Sequence, residues 1–188
     1  MSDYNKSDNS PRLCRRRLLS NFSSGIQSPT EFAVLRTACF DKSKALKVIR
    51  ATEEWQRSGA YSVRIQGMNR QHHISLRDEF DEYDGDRSKY IVILDDEYPI
   101  ATCRFYELDE KTVLLGRVVV LPEYRGKHLG SMVINEAEKW IRELGYEKVR
   151  IDSRTVAVGF YEKLGYTKVD NEVIKSWSFD CIRMVKSL

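Results

Sequence analysis

The stretch from Val118 to Ser131 constrains this chain more than any other. It reads Val-Val-Val-Leu-Pro-Glu-Tyr-Arg-Gly-Lys-His-Leu-Gly-Ser: an apolar β-branched run, a basic loop holding Gly126, and a helix start. Beyond it Leu129, Val133, Ala137, Trp140, Ile141 and Leu144 recur at helical spacing, and Gly145 stands where a helix would end, so a helix is predicted over Gly130 to Leu144. An apolar strand running into an amphipathic helix must bury both apolar surfaces together, which dictates a β-loop-α unit. The first N–H groups of that helix have no partner within it and lie at the positive end of its dipole. A basic, glycine-bearing loop at this point therefore predicts an anion site, a phosphate above all.

The rest of the chain frames this unit. Its 188 residues suffice for one domain with a sizeable core. A formal net charge of +3 gives no reason to expect a nucleic-acid or membrane partner. The N-terminus carries no apolar signal segment, and no apolar run has the length to span a bilayer. Cys14, Cys39, Cys103 and Cys181 are dispersed, which suits reduced thiols and a cytoplasmic protein. Residues 1–44 are polar and broken by Pro11, Gly25 and Pro29; they are expected to form a partly flexible extension with a basic run at Arg15–Arg17 and a short helix over Thr30 to Phe40. The organised domain is expected over residues 45–188. Strands are predicted near Leu46 to Ile49, Tyr90 to Leu94, Ile100 to Leu108, Val113 to Leu121, Lys148 to Asp152, Tyr166 to Val169 and Phe179 to Val185. Thr52 with Glu53 and Glu54 opens a helix running through Val63, weakened by Gly59 and Gly67, and Val156 to Leu164 forms a short second helix. With a single β-loop-α-β unit late in a largely antiparallel sheet, the order specifies an α+β fold with a mixed, mostly antiparallel central sheet flanked by helices, not a doubly wound one.

A second segment, Gly159 to Tyr166, reads Gly-Phe-Tyr-Glu-Lys-Leu-Gly-Tyr and places Tyr161 on a short helix closed by Gly165. Taken together and in this order, the two segments resemble the acetyl-CoA-binding core of the GNAT superfamily of N-acetyltransferases. The family pattern Arg/Gln-x-x-Gly-x-Gly/Ala stands here as Arg125-Gly126-Lys127-His128-Leu129-Gly130, with His128 in place of the middle glycine. A Cβ at position 128 is tolerable if that residue already lies in the helical turn with its side chain outward. The resemblance implies that backbone N–H groups of Gly126, Lys127, His128, Leu129, Gly130 and Ser131 hold the coenzyme pyrophosphate, with charge from Arg125 and Lys127. It implies further that Val118, Val119 and Val120 carry the pantetheine arm, with Val118 and Val120 pairing to it as to an added strand, and that an N–H of this strand polarises the thioester. The motif Ala-x-x-x-Tyr-x-x-x-Gly-Phe/Tyr is matched by Ala157, Tyr161, Gly165 and Tyr166, which implies Tyr161 as the acid that protonates the leaving thiolate. Where many members have Asn seven residues before the tyrosine, this chain has Arg154, a contact for coenzyme phosphate or substrate.

The implied reaction moves acetyl from acetyl-CoA directly to a primary amine of a small molecule or peptide. Its rivals are an acyl-homoserine-lactone-synthase-like acyltransferase and a non-catalytic acyl-CoA-binding module. The general base stays open among Asp152, Glu107, Glu79 and a water relay. Leu76 to Asp86 holds six carboxylates, and reads equally as a lure for a cationic amine or as a solvated loop; it fails as an EF-hand, with Phe80 at the first position and Ile91 at the twelfth. His72 and His73 lack a partner at metal spacing, so no metal site is expected. Cys103 is expected to be a buried strand residue, because an acyl-enzyme would need a paired base.

Overall fold

The computed structural model of the chain describes residues 46–176 and 179–188. The N-terminal extension, with its arginine run, Cys14, Cys39 and the helix expected over Thr30 to Phe40, lies outside the described residues. Seven strands form one sheet: β1 (Lys47–Ala51), β2 (Ser88–Asp95), β3 (Tyr98–Glu107), β4 (Thr112–Val120), β5 (Lys148–Arg154), β6 (Thr167–Ser176) and β7 (Phe179–Ser187). Their order across the sheet is β1-β2-β3-β4-β5-β7-β6. Every neighbouring pair is antiparallel except β4 and β5. This is the mixed, mostly antiparallel sheet that the sequence predicts.

Each strand's pattern follows from what covers it. The apolar run Tyr90 to Leu94 in β2 is buried on both faces, as a central strand requires. In β5 burial alternates: Val149, Ile151 and Ser153 are buried, while Arg150, Asp152 and Arg154 turn to the opposite face. β6 is an edge strand and is exposed along nearly all its length.

Helices cover both faces. α4 (Leu129–Glu143) buries Leu129, Val133, Ile134, Ala137 and Ile141 against Ile93, Cys103, Val149 and Met184. Each fully buried aliphatic side chain contributes about 1.5–3 kcal/mol, so this face carries much of the domain's stability. Leu144, expected on the same face, is the C-cap and is exposed, because the helix has already turned it past the sheet. Glu138 is buried there instead, and Lys186 Nζ neutralises it at 2.6 Å.

On the other face lies α1 (Glu54–Arg64). The Gln56 side chain receives the Thr52 and Glu53 N–H groups at 2.7 and 3.0 Å, so the start is capped by Gln56 rather than by Thr52. Neither glycine breaks this helix. It continues as a π-helical turn over Ile65–Asn69 into α2 (Arg70–His72), and α3 (Leu76–Glu79) follows with Ser75 as N-cap. Gly67 is required by close approach: a Cβ there would come within 2.4 Å of Val119 Cγ1. The predicted Val156 to Leu164 helix is shorter, with a 3-10 turn over Thr155–Ala157 and then α5 (Val158–Glu162). Val156 is not on its apolar face and is 84% exposed, whereas Val158, Phe160 and Leu164 pack on the core.

Candidate active site

β4 and β5 pair only from Thr112–Lys148 to Leu114–Arg150, then diverge. From Leu115 to Val120 the edge of β4 that faced β5 has no strand partner among the described residues, although β3 still pairs with its other edge. Backbone N–H and C=O groups are obligatory hydrogen-bonding groups, so this bare edge can accept an extended ligand as an additional strand. A cleft of ≈ 340 Å³ opens where the strands part. Its walls include Arg117 and Val119 of β4, Asp152 and Arg154 of β5, Tyr161 of α5 and Met68 of the π turn.

The predicted anion loop lies at one end of the bare edge. Val118 and Val120 point toward the α4 core, whereas Val119 turns to the α1 face beside Val63 and Leu121. After the 3-10 turn Pro122–Tyr124, Gly126 takes φ 77° and His128 takes φ 60°, and Leu129 is the first helical residue. His128 is thus the left-handed N-cap, so the condition under which its Cβ would be tolerable, a place within the helical turn, is not met. Its backbone adopts the conformation that a glycine would adopt freely, at a cost of about 1–2 kcal/mol for a residue with a Cβ. The His128 side chain does not cap α4, and among the described residues the first-turn N–H groups are left to water or to a ligand. Gly130 has a packing role as well, since a Cβ there would lie 3.3 Å from Phe160 Cζ. Arg125 points back toward α2: its Nη2 donates to Gln71 Oε1 at 2.6 Å and its Nε to the Val120 carbonyl at 3.1 Å. Lys127 Nζ lies 5.0 Å from the centre of the Tyr124 ring.

Tyr161 reaches the cleft from α5. Its ring meets Phe160 and Tyr166 edge-on, with centroids 5.0 and 5.8 Å apart. Burial, reinforced by Cys103 and Cys181, raises its pKa well above the ordinary 10.0, so the phenol keeps its proton at any physiological pH. Cys103 itself is fully buried, and burial pushes its thiol up to about 12, which removes the thiolate a covalent mechanism would need.

Opposite Cys103, β4 contains a bulge that sequence reading did not find. Thr102 pairs with Val119 and Arg104 with Gly116, so Arg117 and Val118 face one residue of β3, and Arg117 adopts φ 50°. The available signal was Gly116 inside an apolar strand, a common mark of a bulge. Arg117 is anchored by Asp81 (Nη2 at 3.2 Å) and approaches Glu79 (Nε at 3.6 Å).

That anchor belongs to a buried lattice which neither reading of the acidic segment anticipated. Arg64, fully buried, holds Glu79 at 2.7 Å and Asp84 at 2.5 Å, and Arg104 holds Asp81 at 2.6 Å and Asp84 at 2.8 Å. Tyr90 adds a hydrogen bond to Asp84 at 2.6 Å. Glu79, Asp81 and Asp84, half of the segment's six carboxylates, are therefore bound into the fold, whereas Asp78, Glu82 and Asp86 stay exposed. Among the base candidates, Glu79 is locked to Arg64, and Asp152 is held by Arg183 Nε at 3.0 Å. Glu107 lies away from the cleft, where it accepts from the Tyr146 hydroxyl at 3.0 Å.

This sheet, parted between two central strands with an uncapped helix start beside the gap, is the layout of the GNAT fold. The model of the acetyltransferase (GNAT) family matches residues 49–166, and the chain belongs to that family. Similar proteins include the uncharacterised protein YyaT of Bacillus subtilis, 30% identical over 123 residues, which covers 64% of this chain and 82% of the relative. An uncharacterised acetyltransferase of Streptococcus pyogenes is 30% identical over 113 residues, 60% of this chain and 77% of its own. Among solved structures, a protein of Lactobacillus plantarum provisionally described as an N-acetyltransferase superposes with a TM-score of 0.72 at 28% identity, covering 77% of this chain and 99% of that one.

Proposed function

We propose that this acetyltransferase moves an acetyl group from acetyl-CoA directly to a primary amine, with Tyr161 as the acid. The observation that carries the reading is the bare edge of β4 leading into the uncapped start of α4, with the Tyr161 phenol in the same cleft. Backbone groups of Val118 and Val120 pair with the pantetheine arm, and N–H groups from Gly126 to Ser131 receive the pyrophosphate. Lys127 adds positive charge at that end of the site.

The uncharged amine nitrogen attacks the thioester carbonyl carbon, and an N–H of the β4 edge stabilises the oxyanion. As the intermediate collapses the C–S bond breaks, and Tyr161 gives its proton to the sulfur. The proton lost by the amine passes through water and restores the phenol, so the products are the acetamide and free CoA. Water serves as base because the carboxylates bordering the cleft at Glu79 and Asp152 are already held by arginines.

Calorimetry with acetyl-CoA, together with Tyr161→Phe, tests this reading. Binding is expected in both proteins with similar affinity, because the hydroxyl is used mainly as the bond breaks. In the variant kcat should fall by about 10²- to 10⁴-fold, the usual effect of removing a positioned acid. No coenzyme binding by the wild type overturns the reading; normal turnover by the variant removes Tyr161 from it.

A further inference from the structure

The cleft holds ionised side chains of both signs, and three of the five are already matched. Arg117 is held by Asp81, Glu79 by Arg64, and Asp152 by Arg183. Two are not. Among the described residues Arg154 has no carboxylate partner, and Asp78 has no cationic one. Arg154 instead lies over the Phe179 ring, with its guanidinium carbon 4.3 Å from the ring centre. Asp78 accepts only from the capping Ser75, whose hydroxyl lies 2.5 Å from Oδ2.

Stacking on an aromatic face holds a guanidinium in one plane and leaves its in-plane N–H donors pointing outward. That arrangement suits a planar, bidentate acceptor, which a carboxylate is. The position of Arg154 argues against a coenzyme phosphate as its partner. It lies on the β5 face turned away from α4, and Phe179 packs edge-on against His72 of α2 at 5.4 Å, whereas the predicted anion loop opens α4 on the other face. Burial and the charges of Arg154 and Arg125 depress the His72 pKa, so the ring adds no competing positive charge at neutral pH. Met68, Ile74 and Val119 add apolar surface to the same cleft.

We propose that the acceptor is a small amine that also carries a carboxylate, of the free amino-acid type with an apolar body, its carboxylate paired with Arg154 and its ammonium drawn in by Asp78. This rests on the acetyl-transfer reading above and names the substrate class for the same cleft. A zwitterion supplies one charge for each unmatched side chain, whereas a polyamine would leave Arg154 facing a second cation. Asp78 attracts the charged amine, which must then lose its proton before attack.

The test is a matched panel offered with acetyl-CoA: leucine and methionine, against leucinamide, isoamylamine and spermidine. Thiol release is followed, and calorimetry is run in parallel on the CoA-saturated enzyme. The amino acids should be bound and acetylated, and their amide and decarboxylated counterparts should have KM values roughly 10- to 100-fold higher, the scale of a lost charge-assisted pair. Arg154→Gln should raise KM for leucine by a similar factor while leaving leucinamide and acetyl-CoA unaffected, and Arg154→Lys should recover part of the loss. A merely structural arginine would affect all acceptors alike. Preference for spermidine or the amides, absence of any amino-acid binding, or a raised acetyl-CoA KM in Arg154→Gln each overturns the proposal. Failure of the wild type to bind acetyl-CoA would instead overturn the acetyl-transfer reading itself.

Discussion

The two polar flanks of the cleft solve opposite problems. On the α4 flank the polarity comes from backbone: glycine and left-handed turns bring N–H groups to an uncapped helix start, and these remain available to a ligand. On the α3 flank it comes from side chains, and Glu79, Asp81 and Asp84 are closed upon Arg64, Arg104 and Arg117. The contrast teaches that a count of carboxylates says little about the field in a site. Six acidic residues in a short segment read as a negative surface, yet Glu79, Asp81 and Asp84 are neutralised within the fold, and the exposed Asp78 lines the cleft with only Ser75 bonded to its carboxylate among the described residues. The buried lattice also braces the β4 bulge through Arg117, so the α3 flank acts by shaping the strand that borders the α4 flank.

Breaking the lattice should have the largest effect on stability. Arg64→Met removes a fully buried cation and leaves Glu79 and Asp84 without their main partner. Chemical denaturation should show a loss of about 3–5 kcal/mol, the usual consequence of orphaning a buried charge. Calorimetry on the remaining folded protein should still detect acetyl-CoA. Equal loss of coenzyme binding and stability would show that the two flanks are one unit.

Acid should expose the same contrast more gently. Burial works against ionisation of Asp84, but hydrogen bonds from Arg64 and Tyr90 and the charges of Arg64 and Arg104 outweigh it and depress its pKa; Asp81 is likewise depressed by Arg104 and Arg117. A carboxylate depressed in the folded state contributes stability above its unfolded pKa and loses it as pH falls through the folded value. Urea midpoints should therefore decline below about pH 4, where free carboxylates begin to protonate. The decline should be shallower in Arg64→Met. An unchanged slope would mean that Arg64 is not what depresses Asp84.

The smallest effect belongs to the coenzyme flank. His128→Gly relieves a left-handed residue but adds freedom to the unfolded chain, and the balance should be a gain of about 0.5 kcal/mol. Acetyl-CoA affinity should rise, because the loop loses a Cβ near the expected pyrophosphate. Lower stability or weaker binding would show that the imidazole makes contacts which outweigh the strain.

Much of the fold was legible because its signals are local. The apolar run of β2, the period of α4 and the glycines at its far end and at Gly165 each reflect which groups a short segment must bury or turn. Misreadings arose where the deciding partner is distant in sequence. Gly67 looked like a weakness in the helix, but the close approach of Val119 requires it. Glu107 looked like a base candidate until β3 carried it away from the cleft to Tyr146. Val156 was expected to open the second helix, but the chain enters α5 through a 3-10 turn, whose different rise leaves Val156 in solvent.

By itself the sequence determined the strand-loop-helix unit, the glycine-bearing loop at the start of α4 and the short helix that carries Tyr161, because hydrophobic period, turn chemistry and helix ends act within a few residues of one another. Only the tertiary structure decided where β4 and β5 part, that Arg117 forms a bulge, and which charges remain unmatched in the cleft. Arg64 and Asp84 are 20 residues apart in the chain, Arg104 and Asp81 23, and Arg183 and Asp152 31. Charge pairing depends on separation in space and on exclusion of water, and both are set only when the sheet has brought such residues together.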